Sequence, residues 1–288
     1  MQLIEEIAKG HNLQTLELAE SQKDTLVILK KMGKICSDLN LTYWCMYGTL
    51  IGAVRCNGFI PWDDDLDTAM PRSDYEKLLA YFQSHDNNVD GLYLDHYSMD
   101  ETAFFSIMRI CDRDHLLRFP QYGHSSGLFI DIYPFDGMGN DDDKAFWTSK
   151  KMSRKLFWLR HNQFLHSDVA AFPGNSVKTK IPNGIIKFFT NTRSNKSYCD
   201  EMEKIGQTFK WEDSDYVGLT VWDTSMIHFM KKTWFDETVR LPFEDITIPV
   251  PAGYDALLRE VYGDYMQLPP EDQRVPHHGY KAYRIVKN

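Results

Sequence analysis

Along the chain the apolar positions change period several times, and each change marks an element. Over residues 13–39, Leu16, Leu18, Leu26, Leu29, Met32 and Ile35 recur at helical spacing, which predicts an amphipathic helix closing near residues 38–40. The β-prone run LTYWCMY follows and halts at Gly48-Thr49, and TLIGAVRCN reads as a short helix stopped by Asn57-Gly58. DLDTAM predicts a strand running to Pro71, and RSDYEKLLAYFQSH a helix capped by Ser73. Over residues 91–135 the runs GLYLDHYS, FFSIMRICD, HLLRFP and GLFIDIYPFDG are broken by Gly, Pro and Asp, the texture of several neighbouring strands. Residues 141–211 read as mostly helical with an interruption over 172–184. The last third mixes the strands DYVGLTVWD and FEDITIPVP with a helix over 253–262 and a proline-rich tail. The pattern predicts an α/β fold of the mixed α+β kind: a core over 1–140, and a helical and mixed extension over 141–288 packed on it as one unit.

One stretch stands out chemically. GFIPWDDDLD places Asp63, Asp64, Asp65 and Asp67 within five residues, and like charges that close repel unless something positive lies among them. Alternate strand residues share a face, so Asp65 and Asp67 are expected to present two carboxylates together while Leu66 turns inward. Asp64, of opposite parity, is expected to be the solvated member. Paired carboxylates hold hard divalent cations such as Mg²⁺ or Mn²⁺, which take oxygen ligands and keep waters that phosphates can replace. A third acid is expected at Asp131, alone in the apolar strand GLFIDIYPF, where an unpaired carboxylate is costly. Asp65, Asp67 and Asp131 are therefore the candidate metal-binding and catalytic set. Gly48 and Thr49, at a strand-to-helix junction, offer backbone N–H groups to a phosphate. An EF-hand loop competes for Asp63, Asp65 and Asp67, but Thr68 stands where its turn glycine belongs and Asp74 where its closing glutamate belongs.

Bulk properties narrow the partners. A net charge of −9 over 288 residues opposes nucleic acid and anionic surfaces as general partners. The charge is uneven, however: residues 144–210 hold 13 Lys+Arg against 4 Asp+Glu, a local +9 that leaves −18 elsewhere. In this segment RKLFWLRHNQFLH and KIPNGIIKFFTNTR interleave cations with large apolar side chains, so peripheral membrane contact is expected through 150–195. Five cysteines without a CxxC pair favour neither a disulfide framework nor a zinc knuckle. The N-terminal residues lack the pattern of a secretory signal, and no run reaches the length of a membrane span. The expected location is cytoplasmic, with contact at the inner face of the membrane.

The run YGTLIGAVRCNGFIPWDDDLDTAMPRSDYEKLL, the segment FIDIYPFDG and the tail VYGDYMQLPPEDQRVPHH together resemble the LicD family of phosphotransferases, which includes relatives similar to fukutin and its related protein. The resemblance implies a nucleotidyltransferase-like core with added helices. It also implies metal-dependent transfer of a phospho-alcohol from a CDP-linked donor to a glycan hydroxyl with release of CMP. Phosphocholine is the expected group and a glycan, lipid-linked or not, the acceptor; the alternatives are a nucleotidyltransferase or a CDP-ribitol-type polyol-phosphate transferase and, second, a non-catalytic sugar-phosphate binding module. It assigns Asp65 and Asp67 to the metal, Asp131 to the third acid, and Gly48 and Thr49 to the phosphate turn. Arg55 and Arg72 flank the site as expected phosphate clamps, suited to it by their planar bidentate forks. In the tail, Tyr262, Arg274, His277 and His278 match the closing motif, with Arg274 and His277 the expected phosphate contacts. The histidine pair is open between metal ligand, phosphate donor and solvated turn.

Overall fold

The computed structural model describes residues 2–140, 144–164, 183–221, 229–276 and 278–287. In chain order its elements are α1 (Leu3–Ala8), β1 (Asn12–Thr15), α2 (Leu18–Asp38), β2 (Trp44–Cys45), α3 (Tyr47–Cys56), β3 (Asp67–Pro71), α4 (Arg72–Gln83), β4 (Leu92–Asp95), β5 (Met108–Asp112), β6 (His115–Phe119), β7 (His124–Ser126), β8 (Phe129–Gly137), α5 (Lys144–Phe164), α6 (Asn183–Thr190), α7 (Asn195–Gly206), β9 (Tyr216–Leu219), β10 (Met230–Lys231), β11 (Thr238–Phe243), β12 (Ile246–Pro251), α8 (Tyr254–Tyr262) and β13 (Lys281–Val286).

The organising element is β8, all nine of whose residues are buried. A strand covered on both faces reads as a near-continuous apolar run, which is how GLFIDIYPF reads. One edge of β8 pairs in parallel with β3, from Asp67 opposite Asp131 to Pro71 opposite Phe135. The other edge serves β5 antiparallel with its first half and β9 antiparallel with its last half. β2 extends the sheet beyond β3, β10 beyond β9, and β4 beyond β5. A second sheet runs β1-β13-β6-β7, and β11 and β12 form a hairpin. The mixed α/β architecture is therefore the expected one. The expected halves 1–140 and 141–288 share it, because β9 and β10 complete the sheet built around β8 and β13 pairs with β6.

Local chemistry moves several boundaries. The first long helix starts at Leu18, where Glu17 and Glu20 form a reciprocal capping box. Asn12–Thr15 instead pairs antiparallel with β13, a contact from one end of the chain to the other. Gly48 and Thr49 lie inside the first turn of α3 and not before it, because Tyr47 already turns the chain at φ +48°. Asn57, in the left-handed region, ends that helix as expected. Ser73 lies within the first turn of α4 and caps nothing, since Pro71 holds the N-cap position. The interruption over 172–184 falls almost wholly outside the described residues.

A buried charge cluster holds the helical extension on the sheet. Arg72, at the start of α4, forks onto both carboxylate oxygens of Asp136 at 2.7 Å and pairs with Glu203 of α7. Thr220 donates to Asp136, and Lys150 of α5 donates to the carbonyls of Leu219 and Thr220. Burial pushes Glu203 up to about 7 and Lys150 down to about 7. Arg72, expected as a phosphate clamp, thus has its fork occupied by two protein carboxylates: it is an anchor between core and extension. Removing it leaves two buried acids unpaired, so Arg72→Met should lower the unfolding free energy by about 3–5 kcal/mol in urea titration. Parent-like stability with a raised donor KM would instead restore the clamp.

Candidate active site

Strand register sets the site's geometry. Asp67 of β3 stands opposite Asp131 of β8, Asp131 opposite Arg109 of β5, and Arg109 opposite Asp95 of β4. Residues paired across neighbouring strands share a face, so four charged side chains form a row across the sheet. Within it Arg109 donates to both oxygens of Asp131, from Nε at 2.5 Å and Nη2 at 3.1 Å. The guanidinium carbon lies 3.2 Å from the Phe105 ring centre and 3.7 Å from that of Phe129, cation–π contacts that substitute for water at a residue only 1% exposed. At the end of the row Asp95 takes a hydrogen bond from His124 at 2.7 Å.

The loop before β3 brings Asp65 to this row. Oxygens of Asp65, Asp67 and Asp131 lie within 4.8 Å of one another. Because β3 begins at Asp67, Asp65 reaches the cluster from the loop and not from the strand parity expected of it. Burial, then the charges of Asp65, Asp131 and Asp63, hold Asp67 well above the usual carboxylate range. Asp65 is also raised, by burial first, with His278 opposing. Burial with Asp65 and Asp64 nearby pushes Asp63 up to about 8. Three crowded, largely desolvated carboxylates with one arginine among them are short of positive charge. Their all-oxygen donor set fits Mg²⁺ or Mn²⁺.

The surroundings fix each acid. Thr49 Oγ1 accepts from the backbone N–H of Asp67 at 2.8 Å, tying α3 to β3 and leaving the hydroxyl proton to be donated elsewhere. Tyr133 donates to Asp67 Oδ1 at 3.1 Å, and its ring meets Tyr47 edge-on at 5.4 Å. Gly48 lies under Asp63, whose Oδ2 would sit 2.7 Å from a Cβ there, so a larger residue would push the Asp63 carboxylate aside. The acidic loop is also tied from both ends of the sequence. Gln22 donates to the carbonyls of Ile60 and Asp63, and Tyr280 to that of Asp64. The side chain of Asp64, expected in solvent, is 5% exposed and hydrogen-bonded to His278 Nδ1 at 2.9 Å, while His278 Nε2 stands 3.4 Å from Asp65. Burial pulls the His278 imidazole down, but the Asp64 hydrogen bond and the Asp65 charge leave it raised overall.

The remaining expected contacts divide. Arg55 donates to the backbone carbonyl of Tyr265 at 3.1 Å and makes no ion pair among the described residues. Arg274 donates to the carbonyl of Pro269 and lies 5.6 Å from the ring centre of Trp62, at the mouth of the acidic loop. His277 lies outside the described residues. Sequence reasoning missed Arg109, although it stands within the apolar run FFSIMRIC, a charge among apolar strand residues like the one that singled out Asp131.

Residues 40–183 match the family described as LicD/FKTN/FKRP, nucleotidyltransferase domain, a span that contains Asp65, Asp67 and Asp131. The chain is similar to the lipopolysaccharide cholinephosphotransferase LicD of Haemophilus influenzae, 31% identical over 94% of this chain and 99% of that protein. Uncharacterized proteins of Rickettsia prowazekii and Rickettsia typhi are 43% and 39% identical over 24% of this chain, and over 24% and 21% of their own lengths. With one relative matched from end to end and the family match covering the acid cluster, the chain belongs to the LicD/FKTN/FKRP family and is a LicD-type transferase.

Proposed function

We propose that the protein transfers phosphocholine from a CDP-linked donor to a hydroxyl of a lipopolysaccharide-type glycan and releases CMP. The observation that carries this reading is the convergence of Asp65, Asp67 and Asp131 in a chain matched from end to end by a cholinephosphotransferase. Asp65, Asp67 and Asp131 would hold Mg²⁺ or Mn²⁺, and a bound divalent cation supplies charge neutralisation and alignment to phosphoryl transfer. The chain's own residues do the rest. Thr49 and Tyr133 fix the Asp67 carboxylate from its backbone and its side chain, and Arg109 holds the plane of Asp131. His278 and Tyr280 keep the acidic loop closed over the acids. As the acceptor oxygen bonds to the distal phosphorus, the phosphoanhydride bond breaks, its electron pair leaves with CMP, and the hydroxyl proton passes to the Asp65 and Asp67 pair, which Arg109 does not hold.

The surface of the extension supports an acceptor presented at an anionic lipid surface. α5 carries no acidic residue, and Lys144, Lys151, Arg154 and Lys155 are exposed on it beside Trp147 and Met152. On α6, Ile185, Phe188 and Phe189 are exposed next to Lys187. Cations alternating with exposed apolar side chains suit a headgroup layer. None of the described helices is long and apolar enough to cross a membrane.

Two measurements test these readings. With CDP-choline and Mg²⁺ the parent should release CMP, and Asp67→Asn should lower that rate by at least about 10³-fold with the fold retained. Asp131→Asn should lose the rate and, because it strands Arg109, about 3–5 kcal/mol of stability as well. Pyrophosphate as the product, or near-parent turnover in folded Asp67→Asn, contradicts the assignment. In liposome sedimentation at low salt, reversing Lys151, Arg154 and Lys155 to Glu should weaken partition into anionic vesicles by at least about 100-fold. Parent protein that stays in the supernatant contradicts the membrane reading.

A further inference from the structure

Beside the acid cluster lies a cavity of about 290 Å³ that shares Asp131, Tyr133 and His278 with it. The rest of its wall is mostly aromatic, including Phe104, Phe119, Tyr122 and Phe157, with Gln121 the polar exception, and two buried guanidiniums, Arg109 and Arg160, close it. Tyr122, half-buried, stacks on Phe104 with ring centres 4.0 Å apart and planes at 17°. Among the described residues neither guanidinium is fully neutralised or bonded. Arg109 has a buried Nη1 with no hydrogen-bond partner. Arg160 is 1% exposed, yet it donates to the Asn195 side-chain oxygen and to the carbonyls of Ala103 and Phe104, all neutral acceptors, and it makes no ion pair among the described residues. A buried cation held only by neutral groups favours an anion in any adjoining space.

We infer that this cavity binds a ring bearing an anionic substituent, a phosphate or carboxylate that meets Arg160 and Arg109 while the ring lies against the aromatic walls. Arg160, which makes no ion pair among the described residues, disfavours the trimethylammonium group there. Aromatic faces alone would attract a quaternary ammonium, but Arg109 already occupies those of Phe105 and Phe129 and repels a second cation. Two components of the proposed reaction carry the required chemistry: a phosphorylated or acidic sugar of the acceptor, and the nucleotide of the donor. The inference rests on the reading above for the source of the ring, and not for the binding itself.

Calorimetry in metal-free buffer tests it, with glucose 6-phosphate, glucose, phosphocholine and CMP as probes. Glucose 6-phosphate should bind at least about tenfold more tightly than glucose or phosphocholine. Arg160→Gln should weaken it by at least about tenfold. Because Arg160 also fastens α5 to the Phe104 backbone, Tyr122→Leu is the second variant, expected to weaken binding by up to about tenfold in a protein whose circular dichroism matches the parent. If CMP displaces glucose 6-phosphate and shares both sensitivities, the donor supplies the ring; if CMP binds without displacing it, the acceptor does. The inference is overturned if neither glucose 6-phosphate nor CMP binds, if glucose or phosphocholine binds as tightly as glucose 6-phosphate, or if both folded variants bind like the parent. Failure of phosphocholine transfer in the turnover assay would leave this binding result standing, so the two readings fail separately.

Discussion

The buried pair of Arg109 and Asp131 is the interaction on which the site depends. It lies in the middle of a row of paired strand residues, with Asp67 on one side and Asp95 on the other, and it is almost fully removed from water. One guanidinium bound to both oxygens of Asp131 stabilises that carboxylate strongly, but it cannot also neutralise Asp65 and Asp67. The protein is thus built with a deficit of positive charge at one place. A divalent cation would fill that deficit, since among the described residues only Arg109 and His278 bring positive charge to the three acids.

Holding such a site open against its own repulsion requires ties from across the chain. Asp67 is fixed from α3 by Thr49 and from β8 by Tyr133, while the acidic loop is tied by Gln22 at one end of the sequence and by His278 and Tyr280 at the other. This explains why the matching motifs lie at the front, middle and back of the chain: each supplies one wall of the same pocket. The extension is fastened by a different device. Arg72 with Asp136 and Glu203 clamps α7 to the sheet, and Arg160 clamps α5, which lines the cavity, to the backbone at Phe104, so both helices are positioned by buried charges too.

What was legible in the sequence follows from locality. Asp65, Asp67 and Asp131 were readable because charge crowding and a lone acid in an apolar strand are local anomalies with a physical cost. Arg109 obeyed the same rule and could have been found by it. The role of Arg72 was not readable, since its partners lie 64 and 131 residues away and only the tertiary fold brings them to it. The pairing of β1 with β13 hides for the same reason: Asn12 meets Val286, and helical spacing downstream made the first strand look like the start of α2. Thr49 was recognised as part of the junction, but its hydroxyl serves the backbone of Asp67, a distinction that required the register.

The central claim is that the three carboxylates form one cation site completed from outside the protein. Equilibrium Mn²⁺ binding, followed together with the thermal midpoint, tests it most directly, because a ligand that binds only the folded state raises the midpoint with its concentration. The account predicts saturable Mn²⁺ binding with a rising midpoint, displaced by Mg²⁺ and lost in Asp67→Asn. Absence of saturable binding, or binding that Asp67→Asn leaves unchanged, would contradict it.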